Sequence, residues 1–150
     1  MGKKQVTEQN QDQAIKDSEK IEANLKKDVK VKSSAKVAEG RVYVSSSYNN
    51  TILTLTDARG NVLAVKSAGA VGFKGAKKAT SFAASRVAEA IVNICKKMGM
   101  EKIDVFIRGI GAGRESAVRT LVTQGLNVVS IKDVTPIPHN GVRPKKIRRV

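Results

Sequence analysis

The chain has 150 residues, 41% of them apolar, and a formal net charge of +15 from 28 Lys and Arg against 13 Asp and Glu. This length supports one domain with a real core and argues against two. A charge so far from zero repels itself in a compact state unless bound phosphates compensate it, which points to a nucleic-acid partner, with a membrane surface as the weaker alternative.

Residues 1–38 are polar, contain no aromatic residue, and space Ile15, Ile21, Leu25, Val29 and Val31 too sparsely for a core. A disordered charged extension is expected there, with transient helix around 12–28. It has no apolar h-region, and its seven acids up to Glu39 and lack of Arg argue against a transit peptide. No run of eighteen apolar residues occurs, so no spanning helix is expected. Residues 1–40 balance nine Lys against seven acids, which leaves +13 for residues 41–150. The folded part is the polycation.

From Arg41 the pattern becomes that of strands. Arg41 to Ser47 and Thr51 to Asp57 flank the turn formers Tyr48-Asn49-Asn50, and the second strand alternates an apolar with a hydroxyl-bearing face. Asp57 to Asn61 supplies a tight turn into a third strand, Val62 to Lys66. A flexible loop rich in Gly and Lys follows, Ser67 to Ala79, and Thr80 is placed to cap a helix running to Met98. Phe82, Val87, Ala90, Ile91, Ile94 and Met98 form its apolar stripe, and Gly99 ends it. Cys95 lies in that stretch and reads as a small buried hydrophobe, since it has no partner for a disulfide or metal site. Lys102 to Arg108 is a fourth strand, Gly109 to Gly113 a loop, Arg114 to Gln124 a second helix and Leu126 to Val134 a last strand. The order β-β-β-α-β-α-β predicts an α/β fold, one mixed five-stranded sheet with helices packed on it. The expected domains are the extension 1–38, an α/β RNA-binding domain 39–135 and an extended basic tail 136–150. The tail holds all three prolines, the only histidine, five cations and no acid. Proline fixes φ and lacks an N–H, so this segment stays extended and turns its charge outward.

Gly109-Ile110-Gly111-Ala112-Gly113-Arg114 could form a phosphate nest at a helix start, or simply a tight strand-to-helix turn. As a dinucleotide fingerprint it is weak, because Arg114 stands where a third glycine belongs and the preceding strand does not open a βαβ unit. Lys74, Lys77 and Lys78 set cations just before a helix N-terminus, where they oppose the dipole unless an anion is nearby. A solvated charged loop is the plain alternative. Asn49, Asn50 and Thr51 serve either as turn formers or as amide and hydroxyl groups for ribose and bases. His139 has no ligand or catalytic partner in sequence and suits RNA contact better. A nuclease would need converging carboxylates, for which Asp57, Asp104 and Asp133 are the candidates. Five aromatics are too few for a stacking platform, so phosphate contacts should dominate.

Five stretches stand in a familiar order and spacing: Tyr-Asn-Asn-Thr at 48–51, Thr-Asp-x-x-Gly-Asn at 56–61, Ser-Ala-Gly-Ala-x-Gly-Phe-Lys-Gly at 67–75, Gly-x-Gly-x-Gly-Arg-Glu at 109–115, and Asp-Val-Thr-Pro-Ile-Pro-His-Asn-Gly-x-Arg-Pro at 133–144. Across residues 40–150 the chain resembles the universal S-eleven family of small-subunit ribosomal proteins, in its bacterial and organellar form. It departs from the usual pattern at Tyr48, at Val65 or its neighbour, and at Ile110, Val142, Lys145 and Ile147. The resemblance implies a ribonuclease-H-like motif without catalysis and without cofactor, metal or small-molecule substrate. It implies a cytoplasmic protein that binds small-subunit ribosomal RNA on the platform, beside the messenger RNA exit and Shine-Dalgarno cleft. The seventh and eighteenth small-subunit proteins are the implied neighbours. By that resemblance Asn49, Asn50, Lys74, Lys77, Lys78, Arg114, His139, Asn140 and Arg143 face RNA. Thr51, Arg108, Gly111, Gly113, Lys145, Lys146, Arg148 and Arg149 complete the expected RNA-binding set.

Overall fold

A computed structural model describes residues 15–16, 19–23, 37–143 and 145–146. Arg148, Arg149 and most of the N-terminal extension therefore lie outside the described residues. Within the extension, residues 15–16 and 19–23 are helical, and Ile21 packs half-buried against the core.

The elements follow the predicted order. Strands β1 (Glu39–Ser46), β2 (Thr51–Asp57) and β3 (Val62–Ser67) form an antiparallel meander. The single turn α1 (Ala68–Val71) and a 3-10 turn (Gly75–Ala79) lead to the long helix α2 (Ser81–Met98). Then come β4 (Lys102–Gly109), α3 (Gly113–Thr123) and β5 (Asn127–Asp133). The sheet order is β3-β2-β1-β4-β5, with β1, β4 and β5 mutually parallel.

Alternation along the strands decides where the core sits. Val42, Val44, Leu53, Leu55, Ile103 and Val105 are buried on one face, against Val87, Ile91 and Cys95 of α2 and Leu121 of α3. The next residues along, Tyr43 and Phe106, occupy the opposite face, where they face each other in register and stack with ring centroids 5.0 Å apart. Helix α2 forms because its apolar positions repeat at helical spacing and both ends are capped. Thr80 Oγ1 accepts the Ala83 N–H, and Gly99 takes the left-handed conformation at φ +70°. Among the described residues no helix is long and apolar enough to cross a membrane.

Two expectations need correction. The 67–79 segment is not a flexible loop but winds into helical turns, because Ser67 Oγ accepts the Ala70 N–H and Ala68, Val71 and Phe73 are buried. Phe82 does not belong to the buried stripe and is 55% exposed. It stands in the first turn of α2, edge-on to Phe73, with the Arg86 guanidinium 5.2 Å from its ring centre.

Candidate nucleic-acid interface

Topology gathers the basic segments before any side chain is considered. Parallel pairing aligns the C-terminal ends of three strands, since Ser46 of β1 faces Gly109 of β4, and Ile107 of β4 faces Asp133 of β5. β3 runs the same way, and its last residue, Ser67, pairs with Ile52 at the start of β2. The β1–β2 turn, the 67–80 crossover, the 109–113 loop and the C-terminal tail therefore all leave the sheet at one end. Segment 67–80 carries three Lys and no acid, and segment 134–150 carries five cations and no acid. Among the described residues no acid pairs with Lys74, Lys77 or Lys78. Such an end concentrates positive potential where a polyanion can approach.

The glycines of the 109–113 loop answer a packing demand. An added Cβ would lie 2.1 Å from the Ser46 carbonyl oxygen at Gly109, 2.3 Å from that of Ser47 at Gly111, and 2.4 Å from Thr51 Oγ1 at Gly113. The Gly111 N–H also donates to the Ser46 carbonyl at 3.0 Å. A phosphate nest needs open N–H groups, so at Gly111 the turn alternative is the one realised. Gly111 and Gly113 are both buried and bring the loop down onto the β1–β2 hairpin. Thr51 lies beneath them, fully buried, with Oγ1 3.4 Å from Ser46 Oγ. Its hydroxyl is thus withdrawn from solvent, contrary to the sequence expectation. Strict alternation already places Thr51 with Leu53 and Leu55 on the core face.

The hairpin turn itself is held from within. The Ser47 N–H and Oγ both donate to the Asn50 carbonyl, at 2.9 and 3.2 Å, and Asn50 Oδ1 accepts the Thr51 N–H at 3.0 Å. Asn49 is exposed at its tip.

At the root of the tail a closed ring of hydrogen bonds joins two strand ends. The Gly109 N–H donates to Thr135 Oγ1 at 3.1 Å, and that hydroxyl donates to Asp133 Oδ1 at 2.6 Å. Arg114 Nη2 pairs with Asp133 Oδ2, and its Nη1 returns to the Gly109 carbonyl at 2.7 Å. Thr135, through its hydroxyl and its N–H, holds the Asp133 carboxyl below the usual carboxylate range, and Arg114 adds to this. Asp133 is thus accounted for by the ring. Arg114 spends two of its donors inside the protein and keeps only part of its guanidinium for a ligand. The tail is exposed from Pro136 to Arg143, as are Lys145 and Lys146. Asn140 adopts φ +57° between exposed His139 and Gly141, a conformation asparagine tolerates better than most residues. Arg108 is exposed beside Ser45 on the sheet face that carries Tyr43.

The carboxylates do not converge. Asp57 pairs with Gly40 at one end of the sheet and Asp133 lies at the other. Asp57 accepts from Arg59 and Asn61 in its turn, as expected, and Asp104 accepts from Ser130 Oγ at 2.6 Å. Among the described residues no cluster of His, Cys, Asp and Glu has the makings of a metal site.

Residues 40–149 match the family profile Ribosomal protein S11. The chain belongs to the ribosomal protein S11 family. A small ribosomal subunit protein uS11 of Treponema pallidum (strain Nichols) is 54% identical over 121 residues, covering 81% of this chain and 96% of the relative. One from Borreliella burgdorferi (strain ZS7) is 50% identical over 133 residues, covering 89% and 99%. As a member of the S11 family the chain is a structural, non-enzymatic constituent of the small ribosomal subunit, and so cytoplasmic. Its partners are accordingly ribosomal RNA and other ribosomal proteins.

Sequence reasoning missed a feature beside these loops. Helices α2 and α3 border a groove lined by Phe82, Ser85, Ser116, Arg119 and Thr120. A signal was present in hydroxyls spaced four apart on both helices, Ser81 with Ser85 and Ser116 with Thr120.

Proposed function

We propose that the chain binds small-subunit ribosomal RNA through the end of the sheet at which its basic segments emerge. The supporting observation is that the acid-free segments 67–80 and 134–150 leave the same end of the sheet from its two edge strands, β3 and β5, with the Asn49 turn between them. Lys74, Lys77, Lys78, Arg108, Arg143, Lys145, Lys146, Arg148 and Arg149 neutralise phosphates, while Asn49, His139 and Asn140 add directional contacts. Asn50 and Arg114 contribute the capacity their internal bonds leave over. Thr51, Gly111 and Gly113 act indirectly, by fixing loop shape. Following the family resemblance, the RNA is that of the platform, and the chain helps to shape the messenger exit and Shine-Dalgarno cleft beside the seventh and eighteenth proteins.

Co-sedimentation of the tagged chain with small subunits, and retention of platform RNA in preference to random RNA of equal length, test the assignment. Equal retention of both RNAs contradicts it. Removal of residues 143–150 should reduce the log-log salt slope of RNA binding by up to ~3.5 to 4.5 for its five cations. An unchanged slope removes the tail from the interface.

A further inference from the structure

The groove between the N-terminal half of α2 and helix α3 has a volume of about 490 Å³ and a lining rich in hydroxyls. Three of the hydroxyls in this lining turn their protons away from it. Ser85 Oγ donates to the Ser81 carbonyl at 3.2 Å, Ser116 Oγ to that of Gly113 at 3.3 Å, and Thr120 Oγ1 to that of Ser116 at 2.8 Å. The oxygens thus keep lone pairs for a ligand, and the Glu115 carboxylate adds further acceptors to the same lining. Those three hydroxyls have no proton left to offer a phosphate. Positive charge in the groove comes from Arg119. Phe82 completes the wall with an exposed ring held in place by Phe73 and Arg86.

The matching ligand presents hydroxyl donors beside negative charge. The minor groove of an A-form RNA helix is built this way, wide and shallow, lined by 2′-hydroxyls and bordered by phosphates. We infer that the α2–α3 groove takes the ribose edge of an RNA minor groove, with Ser85, Ser116 and Thr120 accepting from 2′-hydroxyls and Phe82 packed on a sugar. This rests on the RNA-binding function proposed above and specifies what part of the RNA is recognised.

The test is interference mapping with the full chain and small-subunit ribosomal RNA transcripts carrying sparse 2′-deoxynucleotides. Wild-type protein should reject transcripts with 2′-deoxy substitution at one cluster of positions. The variant S85A/S116A/T120A should lose that cluster and bind unmodified RNA about tenfold more weakly, as expected for up to three modest hydrogen bonds. Alanine favours helix at these positions, so the variant should fold, and S85A alone provides a milder second test. Identical 2′-deoxy maps for wild type and variant overturn the inference, as does loss of phosphorothioate interference in place of 2′-deoxy interference. Failure of wild-type protein to retain any transcript instead overturns the RNA-binding function itself.

Discussion

Thr135 Oγ1 accepts the N–H of Gly109, 26 residues earlier, and donates a hydrogen bond to Asp133 Oδ1. This hydroxyl closes the ring in which Arg114 is the other link. Thr135→Val removes it with little change of shape and leaves the Gly109 N–H unpaired, so a loss of about 1 to 3 kcal/mol is expected in urea unfolding. Thr135→Ser should keep most of the stability. Equal stability of the Val and Ser variants would dissolve the ring's importance.

Acid should act on two carboxyls. Asn61 holds the Asp57 carboxyl below its ordinary value, chiefly through its side-chain amide, and Thr135 does the same for Asp133. A depressed pKa in the folded state means that the unfolded chain takes up protons first. The contribution is therefore full above the unfolded value near 4 and is lost as pH falls through the folded values. The thermal midpoint of the wild type should fall on acidification below about pH 4, and that of Asp57→Asn with Asp133→Asn should fall less over the same range.

Gly113 and Thr51 should be energetically coupled. A methyl at 113 meets Thr51 Oγ1 at 2.4 Å and Ala84 Cβ at 2.8 Å, so Gly113→Ala should cost about 1 to 3 kcal/mol. In a Thr51→Ala background one of the two obstructions is gone, and the penalty should shrink by about 1 kcal/mol in a double-mutant cycle. Additive effects would show that α3 can shift away without resistance.

Cys95 is fully buried, and burial pushes its thiol up to about 12. Thiolate is the reactive form, so alkylation at pH 8 should be blocked in the folded protein and should proceed only through opening. The labelling rate should rise with urea in parallel with unfolding. Rapid labelling in native buffer would contradict the burial.

Elements governed by local signals were legible in the sequence. The Thr80 cap, the Gly99 terminus, the meander and the strand-helix alternation all depend on residues a few positions apart. What escaped depends on distant partners. The Gly109–Gly113 loop looks equally suited to a phosphate or to packing until Ser46, Ser47 and Thr51 are known to lie under it, some sixty residues earlier in the chain. Phe82 fits the helical stripe by spacing, yet it stands in the first turn beside Phe73 and is exposed. The members of the ring around Thr135 all stand in the two motifs at 109–115 and 133–144, yet nothing local pairs them, since they come from two strand ends and a helix.

The ring also sets how the tail can act. Val134 donates to the Ile107 carbonyl and Thr135 is tied to Gly109, while every residue from Pro136 to Arg143 is exposed. The tail is a tether with a fixed origin, whose eight residues to Arg143 reach at most ~25 Å in polyproline geometry. Once the body is docked on a polyanion, the tail cations search a small volume at an effective concentration on the order of millimolar. Their contribution then falls mainly on how slowly the docked protein departs, and loosening the origin at Thr135 should shorten residence without slowing arrival.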